Sequence, residues 1–212
     1  MLPALLKGGF YHAGQVCVSV QRVFVHEDIC DDVSQRLAAM AKELIVGDPL
    51  DEKTEVGPLI MPGEVDRVEQ WVNEAVEKGA VLLCGGRRLS DFHYAPTVLL
   101  NPPEDCKVSI QEVFGPVVCI FSYTDRNTAI KQANALPYAF QASVFTENLN
   151  ASMEIVKKLN ATAVMVNDHT AFRVDWMPFG GRDESGIGMG GIPYSMEEMT
   201  RTKMMVIKNK HL

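Results

Sequence analysis

Helical and extended hydrophobic patterns alternate along the chain. Ala4 to Ala13 has helical character, weakened by Gly8-Gly9. Val18 to Val25 is rich in β-branched residues and reads as a strand. Ile29, Val33, Leu37, Met40, Ala41 and Leu44 then share one helical face. Val65, Val68, Val72, Ala75 and Val76 mark a second helix, closed by Gly79 just past its end. Ala80 to Cys84 and Ala95 to Leu100 read as short strands, and Val117 to Phe121 is a continuous apolar run suited to a buried strand.

The second half repeats the alternation. Ala129 to Ala135 is helical, and Ala142 to Phe145 is extended. Leu149 to Leu159 is a helix with Met153, Val156 and Leu159 inward, and Ala163 to Val166 is another buried strand. Thr202 to Lys208 forms a terminal strand around Met204-Met205-Val206-Ile207. Strands separated by helices of about 10 to 15 residues imply crossover connections and a largely parallel sheet flanked by helices. The expected fold class is therefore α/β. An apolar strand at a chain end invites pairing with another chain, with an internal edge strand as the alternative.

Composition narrows the function. The 212 residues carry a net charge of -7, which argues against a nucleic-acid partner, because phosphate binding needs clustered Lys and Arg. No apolar run approaches the roughly 20 residues of a membrane span. The five cysteines, at 17, 30, 84, 106 and 119, show no C-x-x-C pair and no metal-ligand spacing with histidine. An odd count without a secretory leader points to free thiols in a reducing, cytoplasmic setting.

Among the cysteines, Cys17 stands out. Gly14 and Gln15 precede it at a helix-to-strand junction, where glycine lets backbone approach a substrate. Amide N–H groups of such a turn, that of Cys17 included, can face a developing oxyanion. A thiolate there could attack a carbonyl. A buried, packing cysteine is the alternative.

Other motifs join it. Phe10-x-x-x-Gly-Gln-x-Cys17 resembles the active-site signature of the aldehyde dehydrogenase superfamily. Glu112-Val-Phe114-Gly-Pro116, Ala133-Asn134, Val144-Phe-Thr146, Val166-Asn167, Pro178-Phe-Gly-Gly181 and Ser185-Gly-x-Gly188 resemble its later motifs, in the same order. The resemblance covers almost the whole chain and implies roles. Cys17 would add to an aldehyde carbonyl, giving a thiohemiacetal; hydride transfer to NAD or NADP would give a thioester, which water hydrolyses. Glu112 would hold the nicotinamide ribose, and Phe114 would pack on the nicotinamide ring. The family's Rossmann-like domain, its general-base Glu and its oxyanion-hole Asn have no counterpart before Cys17. The resemblance therefore assigns residues 1–201 to the catalytic domain and 202–212 to an oligomerisation strand and tail that would join subunits of a homo-oligomer. It also implies that these residues alone do not turn over as a dehydrogenase.

Three details complete the reading. Gly186-x-Gly188-x-x-Gly191 fits G-x-G-x-x-G, but the charged Arg182 to Ser185 stretch precedes it rather than a strand, and Pro193 interrupts any following helix. It reads as a glycine turn, not a dinucleotide loop. Asp183, Met189 and Gly190 depart from residues common in the family. The segment His169 to Trp176 would wall the substrate entrance, with Arg173 and His169 as substrate residues. Together with Tyr11-His12 and Ser19 to Arg22 it resembles the branch acting on lactaldehyde, succinate semialdehyde or phosphonoacetaldehyde. Arg173 could then hold an anionic aldehyde by a charge-assisted contact; a surface salt bridge is the alternative. Two other function classes stay open: a weak thiol esterase using Cys17 with His12 or His169, and a non-catalytic assembly module.

Overall fold

A four-stranded sheet carries the fold, with its longest strand, Val117–Tyr123, near the centre. The computed structural model describes residues 1–210. Helix α1 (Leu2–Phe10) leads through a tight turn at Tyr11–Gly14 to strand β1 (Arg22–His26) and helix α2 (Glu27–Lys42). Helix α3 (Pro62–Glu77) follows, then β2 (Val81–Cys84), β3 (Thr97–Leu100), the short α4 (Lys107–Ile110), β4 (Val117–Tyr123) and α5 (Arg126–Ala133). The remaining elements are β5 (Tyr138–Ala139), β6 (Gln141–Val144), α6 (Leu149–Lys158), β7 (Ala163–Val166), β8 (Arg182–Asp183) and α7 (Ile192–Glu198).

The main sheet has the order β1-β4-β3-β2. β4 pairs in parallel with both β1 and β3, while β2 pairs antiparallel with β3. The α/β class and the largely parallel sheet expected from the sequence are present. The antiparallel pair is a departure, because residues 85–96 contain no helix to carry a crossover. Gly85 and Gly86 instead turn the chain with φ of 73° and 66°. Beyond the main sheet, β6 pairs in parallel with β7, and β5 pairs antiparallel with β8.

Val118, Cys119 and Ile120 are all fully buried, so the sheet is covered on both faces. α2 crosses all four main strands, and α1 packs beside it. The buried stripe of α2 is Cys30, Val33, Ser34, Leu37, Ala38 and Ala41. Ile29, read from the pattern as inward, is 50% exposed: it sits in the first turn of α2, outside the buried stripe, and borders an open cavity. Val76 on α3 and Met153 on α6 are likewise exposed; on α6 only Ser152 is fully buried. Arg22, at the start of β1, donates to the carbonyls of Gln132 and Ala133 and so caps the C-terminus of α5.

Four further expectations change. The strand expected from Val18 begins only at Arg22, because Val20 N–H donates to Gly8 and the Thr170 hydroxyl donates to Val18, drawing this backbone away from the ladder. β7 buries only Met165, since it lies at the edge of a two-stranded sheet. Pro193 does not interrupt a helix: it sits in the first turn of α7, where its missing N–H costs nothing. Residues 201–209 form neither helix nor strand, and Met204 to Ile207 are exposed. A strand needs a ladder partner, and none of the described residues lies beside this segment in one.

The helix faces give a sharp stability contrast. Leu37→Ala should cost about 2–5 kcal/mol, the price of a cavity under the sheet. Ile29→Ala, eight residues (just over two turns) earlier on the same helix, should stay within about 0.5 kcal/mol. Urea denaturation of the two variants checks this; equal losses would restore Ile29 to the core.

Candidate active site

The turn before Cys17 is unusual in its backbone. His12, Ala13 and Gly14 take left-handed φ values of 50°, 55° and 72° in succession. Each non-glycine residue held this way costs about 1–2 kcal/mol, so the surrounding contacts must hold the turn in place. Gly14 admits no substitute: a Cβ there would stand 2.0 Å from the Gly115 carbonyl oxygen. The loop carrying Cys17 therefore lies directly against the Glu112 to Pro116 turn.

Side chains fix both sides of the cysteine. The Gln15 carboxamide accepts from Ile60 N–H (2.9 Å) and donates to the Pro58 carbonyl (3.1 Å). After the cysteine, the Ser19 hydroxyl donates to Gly8 (3.2 Å), and the Thr170 hydroxyl donates to the Val18 carbonyl (2.6 Å). Cys17 itself is exposed and makes no hydrogen bond through backbone or side chain among the described residues. Its thiol and its N–H are both available on a braced loop. Burial, and secondarily the charge of Cys17, raise the Tyr11 phenol above its ordinary value, so Tyr11 stays a hydrogen-bond donor beside the thiol.

Glu112 lies across from this loop, exposed, with a carboxylate that forms no hydrogen bond or ion pair among the described residues. Phe114 follows with φ of 43° and a 39% exposed ring. The turn is braced by Gln21, whose carboxamide donates to the Gln111 (2.7 Å) and Val108 (3.0 Å) carbonyls and accepts from Val113 N–H (2.8 Å). Arg67 donates to the Val113 carbonyl (2.7 Å) and stacks on Trp71.

Cys17, Glu112 and His169 border one cavity of about 500 Å³, which runs between β1 and β6. His169 is largely buried, and its Nδ1 accepts from Ala171 N–H (3.1 Å), which leaves the other ring nitrogen as the N–H in the neutral form. Phe114 and Arg173 lie outside the cavity wall. The Arg173 guanidinium rests 4.0 Å from the Phe179 ring centre and forms no ion pair among the described residues. The surface salt bridge considered for it is therefore not formed. Among the described residues no His, Cys, Asp or Glu cluster could hold a metal ion.

Gln21 and Thr170 escaped the sequence reading. Gln21 carried a weak signal all the same: it is a polar residue in a Val-rich segment that reads as a strand, and a half-buried carboxamide there needs partners.

The chain belongs to the aldehyde dehydrogenase family, whose model matches residues 1–205. It is 44% identical over 198 residues to a 3-sulfolactaldehyde dehydrogenase from Priestia aryabhattai, covering 93% of this chain and 41% of that protein. Aldehyde dehydrogenase 21 from Physcomitrella patens, solved with its reaction product succinate, superposes with a TM-score of 0.95 at 38% identity, over 99% of this chain and 44% of that one. The glyceraldehyde-3-phosphate dehydrogenase GapN of Methanocaldococcus jannaschii, complexed with NADP, gives 0.90 at 40% identity, over 93% and 43%. The chain thus spans less than half the length of these relatives.

Exposure separates the thiols. Burial raises the pKa of Cys30, Cys84, Cys106 and Cys119, the last to about 12, so each stays a protonated, inert thiol at neutral pH. Iodoacetamide should therefore add one label to the folded chain, at Cys17, and five after unfolding. Peptide mass mapping reads the result; native labelling of any buried thiol would contradict this arrangement.

Proposed function

We propose that this chain is the catalytic part of an NAD(P)-dependent aldehyde dehydrogenase that oxidises an anionic aldehyde to the acid, with Cys17 as nucleophile. One observation carries the reading: an exposed thiol with an unused N–H, braced on both sides, faces a cavity shared with a free carboxylate. The Cys17 sulfur bonds the aldehyde carbon while the Cys17 N–H donates to the carbonyl oxygen as charge develops there. Once hydride has left that carbon for the acceptor that NAD or NADP would supply, and the hydroxyl proton has been lost, water displaces the resulting acyl group from sulfur, releasing the carboxylate and returning the thiol.

The residues present fit the nicotinamide end of a dinucleotide. Glu112 is an acceptor-only group with no competing partner among the described residues, as a ribose diol requires. Phe114 offers an exposed ring two residues away. NAD or NADP would supply the hydride acceptor. The rest of the dinucleotide would be held by residues outside this chain, so the 212-residue polypeptide alone should reduce no NAD(P)+.

Arg173 is our candidate for the anionic end of the substrate. Its guanidinium is oriented by Phe179 and is free of carboxylates among the described residues. The sulfonate of the substrate named for the Priestia relative, and the succinate bound by the Physcomitrella one, share this anionic chemistry. His169, which lines the same cavity as Cys17, would wall the substrate there. In the complete protein the exposed Met204 to Ile207 segment would pair with a second copy, giving a homo-oligomer. A small aldehyde is then the partner, with neither nucleic acid nor membrane involved.

Fused to a family nucleotide-binding domain, the chain should oxidise aldehydes, and Cys17→Ser should abolish this. Arg173→Ala should lower kcat/KM about 10- to 100-fold for an anionic aldehyde and leave a neutral one within about twofold. An unchanged ratio would remove Arg173 from recognition. Size-exclusion chromatography before and after truncation at Arg201 tests the pairing; an unchanged mass would count against it.

A further inference from the structure

Gln21 lies four residues after Cys17, and its own carbonyl accepts from Cys119 N–H (2.8 Å), which fixes it to the edge of β4. Its side chain reaches the opposite turn and holds both peptide groups that flank Glu112: the Gln111 carbonyl on one side and Val113 N–H on the other. Its third bond, to Val108, ties the same carboxamide to α4. Glu112 itself forms no hydrogen bond or ion pair among the described residues. Among the described residues, the one side chain that bonds to both sides of Glu112 thus comes from the segment that carries the nucleophile. Arg67 holds the Val113 carbonyl, one bond further on.

We infer that Gln21 is a positioning residue: it sets where the Glu112 carboxylate stands relative to Cys17, and so where the cofactor ribose is held. This rests on the reading of Glu112 given above. A carboxamide is required because one planar group must both donate to carbonyls and accept from an N–H. A carboxylate at position 21 would keep the acceptor but oppose two carbonyl oxygens. A methionine would fill the space and make none of the three bonds.

Two measurements test it. In the 212-residue chain, Gln21→Met should speed hydrogen exchange at the Val113 amide about tenfold while amides of β4 stay protected. In the chain fused to a family nucleotide-binding domain, NADH and NADPH affinity is titrated by fluorescence for Gln21→Met, Glu112→Gln and the double variant. Each single change should weaken binding about five- to tenfold, and the double should be no weaker than the worse single, because Gln21 acts through Glu112. Additive losses, or a Gln21→Met protein with unaltered affinity, overturn the inference while the Glu112 reading stands. An unaltered Glu112→Gln protein overturns the Glu112 reading, and the inference with it. Where Gln21→Met fails to fold, Gln21→Glu carries the same cycle with the same outcomes.

Discussion

Gly14 meets the Gly115 carbonyl so closely that no side-chain carbon fits between them. This single approach joins two turns separated by about a hundred residues of chain. One carries Cys17; the other carries Glu112 and Phe114. Everything around the contact serves to hold it. α1 and β4 supply rigid ends, Gln15 and Thr170 fasten the cysteine loop, and Gln21 and Arg67 fasten the opposite turn. The left-handed run at His12 and Ala13 is the cost of turning the chain sharply enough to reach it.

The sheet explains why that contact can be rigid. β4 is buried along most of its length and is paired on both edges. Pro116 opens it directly after the Gly115 contact, so the turn hangs from the most protected strand in the chain. β1 lies beside β4 in register from Arg22 to His26 and receives the cysteine loop. The two loops thus emerge from neighbouring parallel strands, at the N-terminal end of each.

Much of this was legible in the sequence, for physical reasons that differ by element. β4 announces itself because a strand buried on both faces must be continuously apolar. Cys17, Glu112 and Phe114 are found through local motifs whose residues are adjacent in the chain. Helix faces were harder. On α2 the pattern finds Val33, Leu37 and Ala41, but the stripe also runs through Cys30, Ser34 and Ala38, whose small size conceals their burial, while the larger Ile29 lies outside it. The antiparallel β2–β3 pair was missed because its connection is long enough for a helix but does not form one. The terminal segment has strand-like composition, but pairing is a property of two segments and cannot be read from one. Gln21 was missed for a related reason: its partners at Val108, Gln111 and Val113 lie some ninety residues away, beyond the reach of any local pattern.

The distribution of thiols has a consequence for damage. Four cysteines are sealed inside the fold and one is open to solvent. A sulfenic acid formed at Cys17 would find no accessible second cysteine within the chain to trap it as an internal disulfide. Its rescue would depend on small thiols diffusing in. Without them, further oxidation to sulfinic acid is irreversible, and the fold would survive intact with its one exposed nucleophile spent.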